Sequence, residues 1–131
     1  MDKKKLSKRM VLIVVFIFLL NLIASKLYWY TSIWWLDMLM HFLGGFWLGL
    51  LMFFIFFIKN LNSRHIIYVF LGVLLVGILW ELFELLFFNY LAGNPVILLD
   101  TLSDIFFDLA GGGASIIYFS KRIMTRMENI I

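Results

Sequence analysis

The residues best suited to chemistry in this sequence are acids that recur in apolar surroundings. Asp100, Asp104 and Asp108 occupy every fourth position of the stretch LLDTLSDIFFDLAGGG. On an α-helix, this spacing stacks the three carboxylates along one face. Two carboxylates about 4 Å apart repel by roughly 4 kcal/mol at an effective dielectric constant of about 20. A bound metal, shared protons or a wet cleft must therefore offset the charge of this ladder.

Two other apolar stretches carry acids or a histidine at helical spacing. In DMLMHFLGG, Asp37 precedes His41 by four residues, and in WELFE, Glu81 precedes Glu84 by three. Each pair therefore lies on one side of its helix. One imidazole with several carboxylates suits Mn²⁺, Mg²⁺, Fe²⁺ or Zn²⁺, and the excess of oxygen donors favours the harder ions. The three stretches together predict a divalent-metal site.

The composition indicates that this site belongs to a membrane protein. The 131 residues are 64% hydrophobic, 19% aromatic and 15% charged, with a mean hydropathy of +1.03. A soluble domain of this length has too large a surface-to-volume ratio to hide so much apolar area. The sequence has no cysteine, which excludes disulfides and thiolate metal sites. It also lacks a phosphate-binding glycine loop and a basic stripe for nucleic acid.

Four hydrophobic runs are long enough to cross a bilayer as helices. We predict an all-α polytopic membrane protein with a single domain over residues 1–131. The expected spans cover about residues 10–25, 37–58, 66–88 and 100–120. Gly93, Asn94 and Pro95 predict a turn before the last span. The first run could instead be a signal peptide, but LIASK is a poor cleavage site, so we expect a retained span.

The basic residues predict the direction of the spans. Ten of the eleven lysines and arginines lie before the first span, between the second and third, or after the fourth. Lys26 is the one basic residue on the other side. By the positive-inside rule, both termini are therefore cytoplasmic. The aromatic residues between Tyr28 and Trp35 would then form a belt at the outer interface.

In this orientation, three spans bring polar groups to the same depth. At about 1.5 Å per residue, Asp104 lies roughly 6 Å and Asp108 roughly 12 Å below Asp100, in the outer half of the bilayer. The other two pairs lie near the outer ends of the second and third spans. Small residues continue these stripes toward the cytoplasm and predict close contacts between the three helices, with the first span outside them. These residues are Gly44, Gly45, Gly49, Gly77, Gly111, Gly112 and Ser115.

The hypothesis that uses all of these residues is a metal-dependent hydrolase or transferase at the outer leaflet. Asp108 or Asp100 would act as general base toward a water activated by the metal. The substrate would be a lipid headgroup, a lipid-linked phosphate or an ester within the bilayer. Membrane lipids are the expected partners, nucleic acid is not expected, and a homo-oligomer stays open. The predicted metal ligands are Asp37, His41, Glu81, Glu84 and Asp104.

Two other classes of function stay open. A proton- or cation-coupled transporter would relay charge through the carboxylates. However, only glycines, Ser115 and apolar residues continue below the acids, so a path to the cytoplasm is not evident. A non-catalytic membrane protein would use the acids as a structural polar or metal network. Asp37 and Asp100 could also simply cap their helices, whereas Asp104 and Asp108 lie too deep for capping.

The same three stretches resemble the signature blocks of the YjdF-like bacterial membrane proteins. They match an Asp-x-x-x-His-Phe block, a Trp-Glu-x-x-Glu block and an Asp-Thr-x-x-Asp block that runs into glycine. The first block is also similar to the VanZ-like family. The resemblance covers residues 37–115 and implies a multi-pass protein of the bacterial cytoplasmic membrane, but it supplies no biochemical activity. It implies that six residues carry the family pattern: Asp37, His41, Glu81, Glu84, Asp100 and Asp104.

Overall fold

The structure, a computed structural model, describes residues 3–56, 61–90 and 98–128. Within these ranges, helices are the only regular secondary structure. The predicted turn at Gly93, Asn94 and Pro95 lies outside the described residues. The elements are α1 (Lys3–Lys26), the short α2 (Trp29–Ser32), α3 (Leu36–Ile55), α4 (Ser63–Glu84), a π-helical segment that continues α4 (Leu85–Tyr90), and α5 (Leu98–Glu128).

Four helical segments are long and apolar enough to cross a membrane: Lys3–Lys26, Leu36–Ile55, Ser63–Phe87 and Leu98–Arg122. The predicted all-α architecture with four such helices is therefore confirmed. Its boundaries differ mainly where helices continue into the basic flanks, because lysine and arginine are good helix formers. The direction of the spans and the single-domain organisation stay predictions.

The helix α3 is the centre of the bundle, because it packs against α1, α4 and α5. Its most extensive contact is with α5, and α4 packs on both of them. The helix α1 packs on α3, where the Trp47 indole donates a 2.9 Å hydrogen bond to the Met10 carbonyl. Most of the apolar side chains of α1 are exposed. This arrangement matches the expected three-helix core with the first span outside it.

The backbones of α3 and α5 come so close that side chains are excluded at the contact. A Cβ atom on Gly45 would overlap the main-chain carbonyl of Asp108, and one on Gly111 would overlap the carbonyl of Phe42. Glycine permits this approach because it has no Cβ. Gly44, by contrast, faces open space. The predicted glycine contact is therefore present: on α3 it includes Gly45 and Gly49, whose Cβ would overlap Oγ of Ser115, but not Gly44.

An apolar cluster fills the half of the bundle that lies beyond these glycines. The rings of Phe53 and Phe119 stack with centroids 4.1 Å apart. Val69, Val73 and Ile116 pack against them, so all three core helices contribute. Buried apolar area of this kind stabilises the contact by roughly 25 cal/mol per Å². The cluster closes one end of the bundle and leaves the polar residues together at the other end.

Adding one methyl group at Gly44 or Gly45 tests the close helix contact. Gly45→Ala should lower the free energy of unfolding by about 1–3 kcal/mol relative to Gly44→Ala, because only the Cβ at position 45 meets the backbone of α5. Both substitutions give the same gain in helix propensity, so the difference between their unfolding free energies reports the clash of the new Cβ with α5. Thermal unfolding in detergent, followed by near-UV circular dichroism, measures it. Equal midpoints for the two variants would contradict the observed packing.

Candidate metal centre

His41 lies between two aspartates of the neighbouring helix. Its Nε2 atom is 3.9 Å from Oδ2 of Asp104, and its Nδ1 atom is 3.3 Å from Oδ1 of Asp108. The two aspartates are one helical turn apart, which places both carboxylates on the face of α5 that meets α3. All three side chains are buried, with Asp104 only 2% exposed. The predicted convergence of the second and fourth spans is therefore observed.

Asp37, His41 and Asp104 form a group that could hold a metal ion. One donor atom from each lies within 4.8 Å of the other two. Two donor atoms bound to one ion at about 2.0–2.2 Å lie about 3 to 4 Å apart. The 3.9 Å between His41 and Asp104 falls in this range. A modest closure would therefore bring all three side chains into coordination distance.

Glu81 approaches this group from α4. Glu81 is 8% exposed, and its carboxylate lies close to the side chain of Thr101. The carboxylate is also close enough to interact electrostatically with His41 and Asp108. Among the described residues, Oε1 of Glu81 and Oδ1 of Asp104 are buried without a hydrogen-bond partner. Because a buried polar atom without a partner costs roughly 1–3 kcal/mol, these two oxygens are suited to accept a hydrogen bond or to bind a cation.

Glu84 and Asp100 lie at the rim of the site rather than inside it. Glu84 is half-buried and its carboxylate interacts with the Trp80 side chain, while Asp100 is exposed in the first turn of α5. Asp37 also lies in the first turn of its helix, whose cap is Trp35. Neither aspartate occupies the cap position itself, because each helix begins earlier than predicted. The proximity of a carboxylate to a helix N-terminus is still favourable.

Tyr30 of α2 joins this rim, which the sequence did not predict. Its hydroxyl donates a 2.6 Å hydrogen bond to Oδ1 of Asn21 in α1. Partial burial, followed by the negative charges of Asp37 and Glu84, raises the pKa of the Tyr30 phenol above its ordinary value. Tyr30 and Thr101 were missed because an interfacial tyrosine and a lone threonine carry no pattern of their own. Only their positions in three dimensions connect them to the acids.

Gly77 of α4 packs against the carboxylate of Asp108 at the deep end of the site. A Cβ atom on Gly77 of α4 would lie 2.7 Å from Oδ2 of Asp108. The buried carboxylate of Asp108 therefore fits between the helices only because Gly77 has no side chain.

Of the seven predicted site residues, the structure buries four together: His41, Glu81, Asp104 and Asp108. Asp37 is half-buried beside them, and Glu84 and Asp100 lie at the rim. Their chemical roles stay predictions.

The structure thus combines four helices that are long and apolar enough to cross a membrane with a His/Asp cluster, as expected of a membrane protein with a polar site inside its bundle. The chain belongs to the family described as "Predicted membrane protein (DUF2238)", which matches residues 3–125. This membership is consistent with the resemblance to YjdF-like proteins, while the similarity to VanZ-like proteins stays a prediction. No curated protein and no solved structure is significantly similar to the chain.

A double-mutant cycle tests the contact between His41 and Asp108 without any metal. With a chelator present, His41→Ala and Asp108→Ala should show a coupling free energy of about 0.5–3 kcal/mol, because the two side chains hydrogen-bond in a buried site. Unfolding in detergent supplies the four free energies. The pair His41 and Asp100 is the control and should couple weakly, because Asp100 is exposed. Equal coupling in both pairs would contradict the geometry.

Proposed function

We propose that the protein binds a divalent cation between Asp37, His41 and Asp104 and uses it to act on a lipid or lipid-linked substrate. The observation that carries the proposal is the combination of two features of one site. Three donor atoms lie within 4.8 Å of one another, and two buried carboxylate oxygens of the same site have no hydrogen-bond partner among the described residues. One of these oxygens is Oε1 of Glu81, which makes Glu81 the candidate for a fourth ligand.

The charge of the site supports a cation as its ligand. Asp37, Glu81, Asp104 and Asp108 surround one imidazole, and among the described side chains their ion pairs come from His41 alone. Even a charged His41 would neutralise only one of four carboxylates. A buried charge in a membrane segment costs on the order of 3 kcal/mol on insertion scales. A divalent cation offsets two charges at once and accepts the lone pairs of the unpartnered oxygens.

The donor set suits Mn²⁺, Mg²⁺, Fe²⁺ or Zn²⁺. Carboxylates suit Mg²⁺ and Mn²⁺, whereas the imidazole suits Fe²⁺ and Zn²⁺. When bound, such an ion polarises an ester or phosphoryl oxygen and lowers the pKa of water. Asp100, exposed at the rim, keeps the predicted role of general base. Glu84 and Tyr30 would orient the polar part of a substrate that reaches the rim.

The surface beside the rim supports an amphiphilic substrate. Leu98 and Leu99 at the start of α5 are 68% and 79% exposed, and Trp34 before α3 is 79% exposed. In a membrane, apolar residues of this kind would contact acyl chains, so a lipid headgroup would be able to reach the acids from the bilayer. We therefore propose a hydrolase or transferase whose substrate is a lipid headgroup or a lipid-linked phosphate.

A structural network is the second candidate, and one observation favours it. His41 lies within reach of two buried aspartates, so a protonated imidazole could interact with both without any metal. A transporter is less favoured, because the close contact of α3 with α5 and the cluster around Phe53 and Phe119 fill the bundle below the acids. The structural candidate predicts loss of stability in site variants without any metal dependence.

Metal binding separates these candidates. Isothermal titration of chelator-treated protein with Mn²⁺ or Zn²⁺ should give one site with saturable heat. Asp104→Asn and His41→Gln should each weaken binding at least tenfold, because each removes a donor atom or its charge. Ser115→Ala is the matched control, since Ser115 is buried on α5 but bonds only the Gly112 carbonyl among the described residues. Binding that is absent, or unchanged in both site variants, would refute the proposal.

Removal of the metal should also remove activity. Purified protein in lipid micelles, incubated with a lipid-linked phosphate or a phospholipid, should release phosphate or a headgroup with Mn²⁺ or Zn²⁺ present. Chelation should abolish turnover, and return of the ion should restore it. Asp100→Asn should lower the rate at least tenfold while metal affinity changes little, because a general base contributes about 10²–10⁴-fold. Metal binding without turnover of either substrate class would favour the structural candidate.

A further inference from the structure

Asp108 contacts the imidazole from the side opposite to Asp104. Its Oδ1 atom is 3.3 Å from Nδ1 of His41, while Nε2 of the same ring is 3.9 Å from Asp104. Asp108 is 5% exposed and lies one turn deeper than Asp104 on α5. The two ring nitrogens are therefore directed at two different carboxylates.

This arrangement selects one form of the neutral imidazole. A neutral histidine carries its proton on one nitrogen and a lone pair on the other, and only the lone pair can bind a metal. The carboxylate of Asp108 accepts a hydrogen bond from the Nδ1–H group, so the ring proton stays on Nδ1 and the lone pair is on Nε2. Nε2 is the nitrogen that faces Asp104. Histidines that bind metals almost always donate their other N–H to a carboxylate, a carbonyl or water.

The surroundings of Asp108 hold its carboxylate in place. Its main-chain carbonyl lies against Gly45 of α3, and its Oδ2 atom lies against Gly77 of α4. A Cβ at either glycine would meet these atoms at less than normal contact distance. Two glycines on two helices thus leave space for this one carboxylate. Because Oδ1 bonds to His41 and Oδ2 packs on Gly77, Asp108 is poorly placed to contact a substrate.

We propose that Asp108 is a positioning residue that orients His41, so that Nε2 binds the metal. The inference rests on the metal site proposed above and deepens it. It also assigns Asp108 a role different from the general base predicted from sequence. In addition, it gives Gly77 a role, because the fixed position of the Asp108 carboxylate depends on the absence of a side chain there.

The test uses Zn²⁺ alone as the probe and reads both affinity and the protonated nitrogen. The chain has two histidines, so ¹⁵N-histidine labelling with a His65→Gln variant assigns the ring of His41. Wild-type protein should bind Zn²⁺ through Nε2 with the proton on Nδ1. Asp108→Ala should weaken binding 10- to 100-fold and lose this single pattern. Asp108→Asn, which keeps an acceptor oxygen, should retain the pattern with a smaller loss of affinity.

Two further variants keep the test decisive if Asp108→Ala does not fold. Gly77→Ala leaves Asp108 intact but displaces its carboxylate, so it should also weaken Zn²⁺ binding, whereas Ser115→Ala should not. Wild-type affinity and an unchanged nitrogen pattern in both Asp108→Ala and Gly77→Ala would overturn the positioning role alone. Loss of turnover in Asp108→Ala with unchanged Zn²⁺ affinity would also overturn the positioning role, because it would assign Asp108 to the reaction itself. Absence of Zn²⁺ binding in the wild type would instead overturn the metal site and the inference together.

Discussion

The close approach of α3 and α5 is the constraint on which the rest of the structure depends. Where Gly45 meets the backbone of Asp108, the two helices are separated by no side chain at all. This contact sets the rotation of each helix about its axis. One turn away on α3, His41 is thereby directed at the acidic face of α5, where it reaches Asp104 and Asp108. The polar site is a consequence of glycine packing.

The site carries a free-energy cost that the remainder of the bundle must offset. Four carboxylates and one imidazole lie at least half-buried in helices whose other side chains are mostly apolar. The apolar cluster around Phe53 and Phe119 and the glycine contact supply favourable packing at the other end. Residues that cost stability and converge in one place are typical of functional sites rather than of packing. For this reason we favour a bound cation over a purely structural network.

Much of this arrangement could be predicted from the sequence. Hydrophobic run length predicted the four helices that are long enough to span a membrane, and the spacing of acids predicted that His41 and Asp104 meet from two of them. The depth of each residue follows from a fixed rise per residue, so residues of equal depth can be identified without coordinates. The glycine stripes predicted which helices approach closely. These features depend on distance along a helix, which a sequence specifies well.

The rotation of each helix could not be predicted in the same way. Glu81 and Glu84 are three residues apart and differ by about 60° around the axis, which suffices to bury one and leave the other at the rim. Asp100 belongs to the same ladder as Asp104, but it lies in the first turn of α5, where it is exposed. Because the rotation of each helix was unknown, the proximity of Tyr30 and Thr101 to the acids could not be predicted either. Which side of the imidazole each aspartate contacts depends on side-chain placement, which residue spacing does not specify.

Spectroscopy of protein loaded with a metal ion tests the central claim, a metal centre that contains His41, most directly. X-ray absorption spectroscopy of Zn²⁺- or Mn²⁺-loaded protein in lipid should show imidazole scattering from one histidine, with the remaining donors oxygen at about 2.0–2.2 Å. The imidazole signal should disappear in His41→Gln and persist in His65→Gln. Oxygen donors without imidazole in the wild type, or an imidazole signal that depends on His65, would contradict a metal centre built on Asp37, His41 and Asp104.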